Sequence, residues 1–113
     1  MNTLFTIASK SVTENGATFT VMLDANHRVF DGHFPGNPVL PGVMSMLIVR
    51  KCAEDILGIK THFGAVKEIK YLQTIIPDGN SLTVNVACAE KVVTADISSS
   101  EGVALMKMKG TLA

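Results

Sequence analysis

Apolar and polar residues alternate along most of this chain, and the alternation breaks down in one central stretch. Thr18, Thr20 and Met22 interleave with Phe19, Val21 and Leu23. Leu82, Val84, Val86 and Cys88 interleave with Thr83, Asn85 and Ala87, and Met106 and Met108 with Lys107 and Lys109. A period of two is the signature of a strand with one buried face, and it predicts strands over 3–10, 16–25, 63–76, 81–89, 91–99 and 103–112. Asn15-Gly16, Pro77-Asp78-Gly79-Asn80 and Ser99-Ser100-Glu101-Gly102 supply turn chemistry between them, and Glu90-Lys91 makes a tight junction. Between the second and third strands the pattern turns helical over 43–57. Pro41-Gly42 sets its start and Gly58 its end. Val43 to Val49 is apolar on nearly every side, interrupted only by Ser45. A helix apolar all round is expected to be buried all round, so the strands must wrap it. The order β-β-α-β-β-β-β predicts an α+β fold, an antiparallel sheet of about six strands around one long central helix. At 113 residues the whole chain, 1–113, reads as a single domain.

The segment over 26–42 follows neither period. It holds three of the four prolines, Pro35, Pro38 and Pro41, together with Gly32, Gly36 and Gly42. Proline fixes φ and glycine permits conformations closed to other residues, so this is a loop of specified shape. His33 stands on it, and the imidazole is the side chain best suited to proton transfer near neutral pH.

Composition narrows the function classes. Ten Lys and Arg balance ten Asp and Glu, for a formal net charge of zero, which argues against broad nucleic-acid binding. No apolar run reaches the 18 residues of a membrane span, and the N-terminus lacks a basic region followed by an apolar stretch. Cys52 and Cys88, both in apolar settings, read as reduced core thiols. A cytoplasmic location is expected. His27 and His62 have no metal-ligand spacing to any partner and read as structural, so no metal is expected.

The loop and helix carry a resemblance. Gly32-His33-Phe34-Pro35-Gly36-Asn37-Pro38-Val39-Leu40-Pro41-Gly42-Val43 is similar to the G-H-F-P-G-x-P-x-x-P-G-V loop of the β-hydroxyacyl-acyl carrier protein dehydratases of fatty acid synthesis, and the helix after it fits as well. Ile75-Ile76-Pro77-Asp78-Gly79 resembles the family's V-V-P-G-D turn with altered spacing. Strand order agrees over almost the whole chain. The resemblance implies the hotdog fold, a sheet wrapped around one helix. It implies a homodimer or dimer of dimers with sites at the interface, an acyl-phosphopantetheine thioester on acyl carrier protein as substrate, and no metal or organic cofactor. It assigns His33 to removal of the C2 proton of a 3-hydroxyacyl thioester, and the Gly42 N–H to the thioester carbonyl. Phe34, Pro35, Gly36, Val43, Met44 and Leu47 are then expected to line the substrate site.

One position departs from that pattern. The family's helix carries an Asp or Glu fourteen residues after the histidine and five after the helix-start glycine, and here that position is Leu47. Leucine neither donates a proton nor accepts a hydrogen bond. Glu54 lies two turns further on, roughly 10 Å along the axis, and Arg50 is a poor general acid. Three readings stay open: a dehydratase working from His33 alone, an acyl-thioester-binding subunit that pairs with an active hotdog homologue as a heterodimer, and an acyl thioesterase. The plainer readings are a structural loop histidine for His33, core packing for Met44 and Met46 in place of tunnel lining, and solvated strand faces for Lys67, Lys70, Lys107 and Lys109 in place of a landing patch for an acidic carrier protein.

Overall fold

The computed structural model describes residues 4–30 and 39–113. Among them the chain forms six strands and one long helix, in the predicted order: β1 (Phe5–Val12), β2 (Gly16–Leu23), a single 3-10 turn (Arg28–Phe30), α1 (Gly42–Leu57), β3 (Phe63–Tyr71), β4 (Leu82–Ala89), β5 (Val92–Ser99) and β6 (Ala104–Leu112). The strands make one antiparallel sheet in the order β1-β2-β4-β5-β6-β3.

Register explains why the two faces differ. Residues paired across an antiparallel ladder share a face. One row runs Lys10, Phe19, Val84, Ile97, Met106, Tyr71 from edge to edge. Phe19, Val84, Ile97 and Met106 in this row are fully buried, and α1 lies over this face, against β4 and β2. The neighbouring row, Ser11, Thr18, Asn85, Asp96, Lys107, Lys70, faces outward. There the Thr18 hydroxyl donates to Asn85 Oδ1 (2.8 Å) and Asn85 Nδ2 donates to Asp96 Oδ1 (2.9 Å). Glu68 and Asp96 sit among Lys70, Lys107 and Lys109 on this face, and Lys70 pairs with Glu68 at 3.2 Å. The face is therefore mixed in charge rather than basic.

Gly58 ends α1 in the left-handed conformation (φ 73°), with its N–H donating to the Glu54 carbonyl. This is the role its sequence position predicts, since a Cβ is disfavoured at such a φ. Two expectations need correction. The third strand stops at Tyr71 rather than reaching 76: the Leu72 and Gln73 N–H groups both turn to the Leu105 carbonyl, and the Ile75 carbonyl accepts from the Leu40 N–H. That segment leaves the sheet to close against the approach to α1. The helix, in turn, is not buried all round. Ser45, Ile48, Val49, Cys52 and Ala53 form its buried stripe, but Val43 is 69% exposed, and Met46, Leu47 and Arg50 are half-buried. A single sheet meets a helix along one side, and one chain of this size has no second layer to cover the other.

Candidate functional site

The N-terminus of α1 is where the end of β3, the segment from Leu72 to Ile75 and the helix's own approach at Leu40 and Pro41 meet. Pro41 occupies the N-cap position and offers no side-chain acceptor, and no acidic residue stands in the first turn. The Met44 N–H donates to the Pro41 carbonyl at 2.9 Å. The N–H groups of Gly42 and Val43, which have no acceptor inside the helix, therefore present the positive end of the helix dipole without a side-chain cap among the described residues. Ser45, fully buried, donates its hydroxyl to the Gly42 carbonyl at 2.6 Å. That bond ties the first turn together and commits the only hydroxyl of the helix.

A cavity of about 450 Å³ opens beside this turn, lined by Leu40, Gly42, Ser45, Tyr71 and the segment from Leu72 to Ile75. Tyr71 reaches it because it ends the inward-facing row. A methyl group on residue 42 would lie 2.7 Å from Tyr71 Cζ, 2.8 Å from its hydroxyl oxygen and 2.9 Å from Cε1. Contacts that short do not persist, so glycine at 42 is what lets the phenol ring lie against the helix start.

Of the residues expected in the site, Gly42 is the first residue of α1 and lines the cavity. Val43 points to solvent, and Met44 and Leu47 are half-buried against the core. His33, Phe34, Pro35 and Gly36 lie outside the described residues. Tyr71 was not expected. Its signal in the sequence is faint: the single tyrosine, on the parity of the half-buried Ile69, just before the proline turn.

Lys51, Glu54 and Asp55 of α1 are engaged elsewhere. Glu54 Oε2 accepts from the Thr61 N–H at 2.9 Å, and its Oε1 lies 3.5 Å from Lys51 Nζ. That backbone hydrogen bond, aided by Lys51, holds its carboxyl below the usual range. Glu54 thus fastens the turn after the helix. Burial, with Asp55 nearby, pushes the Cys52 thiol up to about 12, and both cysteines are free thiols. A thiol kept protonated is a poor nucleophile, so Cys52 acts as core. His62 is exposed. Arg50 Nε is buried with no hydrogen-bond partner among the described residues.

The family model for ApeI-like proteins, described as ApeI dehydratase, matches residues 9–109. The chain belongs to the ApeI-like dehydratase family. Its curated relatives include 3-hydroxyacyl-[acyl-carrier-protein] dehydratases FabZ. That of Enterococcus faecalis is 35% identical over 94 residues, which is 74% of this chain and 62% of the relative. That of Lactococcus lactis is 35% identical over 75 residues, 58% of this chain and 48% of the relative. The matched stretch thus spans about half to three-fifths of those proteins. Among solved structures, the dehydratase heterocomplex ApeI:P from Xenorhabdus doucetiae aligns with a TM-score of 0.83 over 96% of both chains, at 23% identity. The sheet and helix of this ApeI-like protein are accordingly a hotdog fold. The described helices include none long and apolar enough to cross a membrane.

Proposed function

We propose that this ApeI-like protein dehydrates 3-hydroxyacyl thioesters carried on acyl carrier protein. The observation that carries the reading is the uncapped start of α1 at Gly42, opening onto a cavity of about 450 Å³, in a chain of a dehydratase family. Removing the C2 proton of a thioester places negative charge on its carbonyl oxygen. A backbone N–H at a helix N-terminus stabilises that charge without reorganisation. His33, on the loop that leads into the helix, takes the C2 proton. The C3–O bond breaks, the proton passes from His33 to the departing hydroxyl, and water and a 2,3-unsaturated thioester leave. The single base covers for the carboxylate absent at Leu47 at a cost of about 10²–10⁴-fold in rate, the usual worth of a general acid.

A second reading has its own observation. Val43, Leu47 and Arg50 lie on the open side of α1, and the Arg50 Nε buried there has no acceptor among the described residues. A related hotdog chain, as in the ApeI:P heterocomplex, would cover that side and bring a carboxylate to it. One experiment separates the two. The purified chain, alone and mixed with a related hotdog protein, is assayed on a 3-hydroxyacyl-pantetheine thioester, with His33→Ala as control. Turnover by the chain alone that His33→Ala abolishes supports the first reading, and turnover only in the mixture supports the second. Absence of turnover and of thioester binding in every arm removes both.

A further inference from the structure

We propose that the Tyr71 hydroxyl is a second hydrogen-bond donor to the thioester carbonyl, acting beside the Gly42 N–H. The inference rests on the dehydratase reading and adds a catalytic residue to it. Three observations lead there. First, the row Lys10, Phe19, Val84, Ile97, Met106, Tyr71 crosses the inward face from edge to edge, and α1 is met from both of its ends. Lys10 Nζ lies 2.6 Å from Asp55 Oδ1 in the last turns of the helix, while the Tyr71 ring lies against Gly42 in the first. The placement of the phenol is thus set by strand register.

Second, the part of the ring nearest Gly42 is its polar end. Cζ, the hydroxyl oxygen and Cε1 are the atoms a methyl group at 42 would strike. An oxygen atom accepting from the Gly42 N–H therefore arrives next to a phenol O–H. Third, the Tyr71 hydroxyl has no hydrogen-bond partner among the described residues, whereas the Ser45 hydroxyl, on the same cavity, is spent on the Gly42 carbonyl. A phenol is a donor of the kind that stabilises developing oxyanions. With leucine at 47, the carbonyl end of the substrate is where this chain has donors to offer.

Tyr71→Phe keeps the ring against Gly42 and removes only the O–H. Tyr71 is 53% exposed, so the variant folds, and thermal unfolding verifies this. Bound crotonyl-pantetheine labelled with ¹³C at the carbonyl reports the hydrogen bonds directly by NMR. In the wild-type protein the carbonyl resonance moves downfield on binding, and in Tyr71→Phe it moves distinctly less while the ligand still binds. In whichever assembly gives turnover, kcat falls about 10²–10³-fold, the usual worth of one such donor, with KM little changed. Equal carbonyl shifts and equal kcat in the two proteins overturn the proposal and leave the dehydratase reading standing. A wild-type protein that binds no thioester overturns that reading, and the proposal falls with it.

Discussion

The two sides of helix α1 follow different rules. One side, Ser45, Ile48, Val49, Cys52 and Ala53, is sealed against the sheet. Its only polar side chain is satisfied internally, by the bond from Ser45 to the Gly42 carbonyl. The other side carries Val43 in solvent, half-buried Met46 and Leu47, and an arginine with a buried Nε that finds no partner among the described residues. An apolar helix face left open is costly unless something covers it, and a buried unpaired donor is costlier still. The sealed side accounts for the fold. The open side is intelligible only through what it meets, a ligand or a second chain, and it contains Leu47, the position for which the sequence resemblance implies an acid.

Substitutions on the two sides should therefore fail in different currencies. The largest effect is expected from Leu47→Glu. If the rest of the site is intact, a carboxylate there raises the rate of conversion of a 3-hydroxyacyl thioester to its enoyl product by about 10²–10⁴-fold, read from enoyl-thioester absorbance. An unchanged rate would show that more than one carboxylate separates this chain from an efficient dehydratase. Ile48→Ala, one residue along but on the sealed side, empties a fully buried site. It should cost about 2–5 kcal/mol of stability, measured by urea unfolding. That is a large share of the ~5–15 kcal/mol by which domains of this kind are stable. Were Leu47→Glu to destabilise as much as Ile48→Ala, the two sides would not differ as described.

What the sequence disclosed follows the same division. The strands with one buried face, β2, β4, β5 and β6, are legible because their alternation records their own burial, as in Leu82, Val84 and Val86 against Thr83 and Asn85. Gly58 is legible because its conformation requires glycine. The sequence misleads where burial depends on something outside the chain. Val43 to Val49 reads as buried all round, yet one sheet covers only one side. β3 reads five residues too long because Ile75, the one buried residue between Leu72 and Ile76, is held off the sheet by the approach to α1, its carbonyl accepting from the Leu40 N–H rather than from a neighbouring strand. Tyr71 is silent in the sequence because its neighbour, Gly42, is 29 residues away, and only the register of β3 on β6 brings them together.

Smaller effects test how the two ends of α1 are held. Lys10 turns inward from the edge strand β1, crosses the Phe19 ring at 5.9 Å and meets Asp55 at 2.6 Å. Both side chains are more than a third exposed, so solvent screens the pair. Lys10→Ala is expected to cost no more than about 1 kcal/mol, less in high salt. A loss as large as that of Ile48→Ala would mean that the edge strand depends on this single contact.

The smallest effect belongs to Glu54, and its pH dependence has a definite sign. The Thr61 N–H, and after it Lys51, lower its carboxyl pKa in the folded state from the ordinary 4.5. A group whose pKa is depressed by folding stabilises the protein above its unfolded-state pKa, and that stabilisation is lost as pH falls through the folded-state value. Glu54→Gln keeps an oxygen that accepts from Thr61 but removes the charge. At pH 7 the variant should be less stable by no more than about 1 kcal/mol, since the pair is solvent-screened. Wild type and variant should converge as the pH is lowered well below 4.5. Urea unfolding of both proteins at pH 7 and in acid measures the difference. A gap that stays constant with pH would show that the charge of Glu54 contributes nothing to the stability of the helix end.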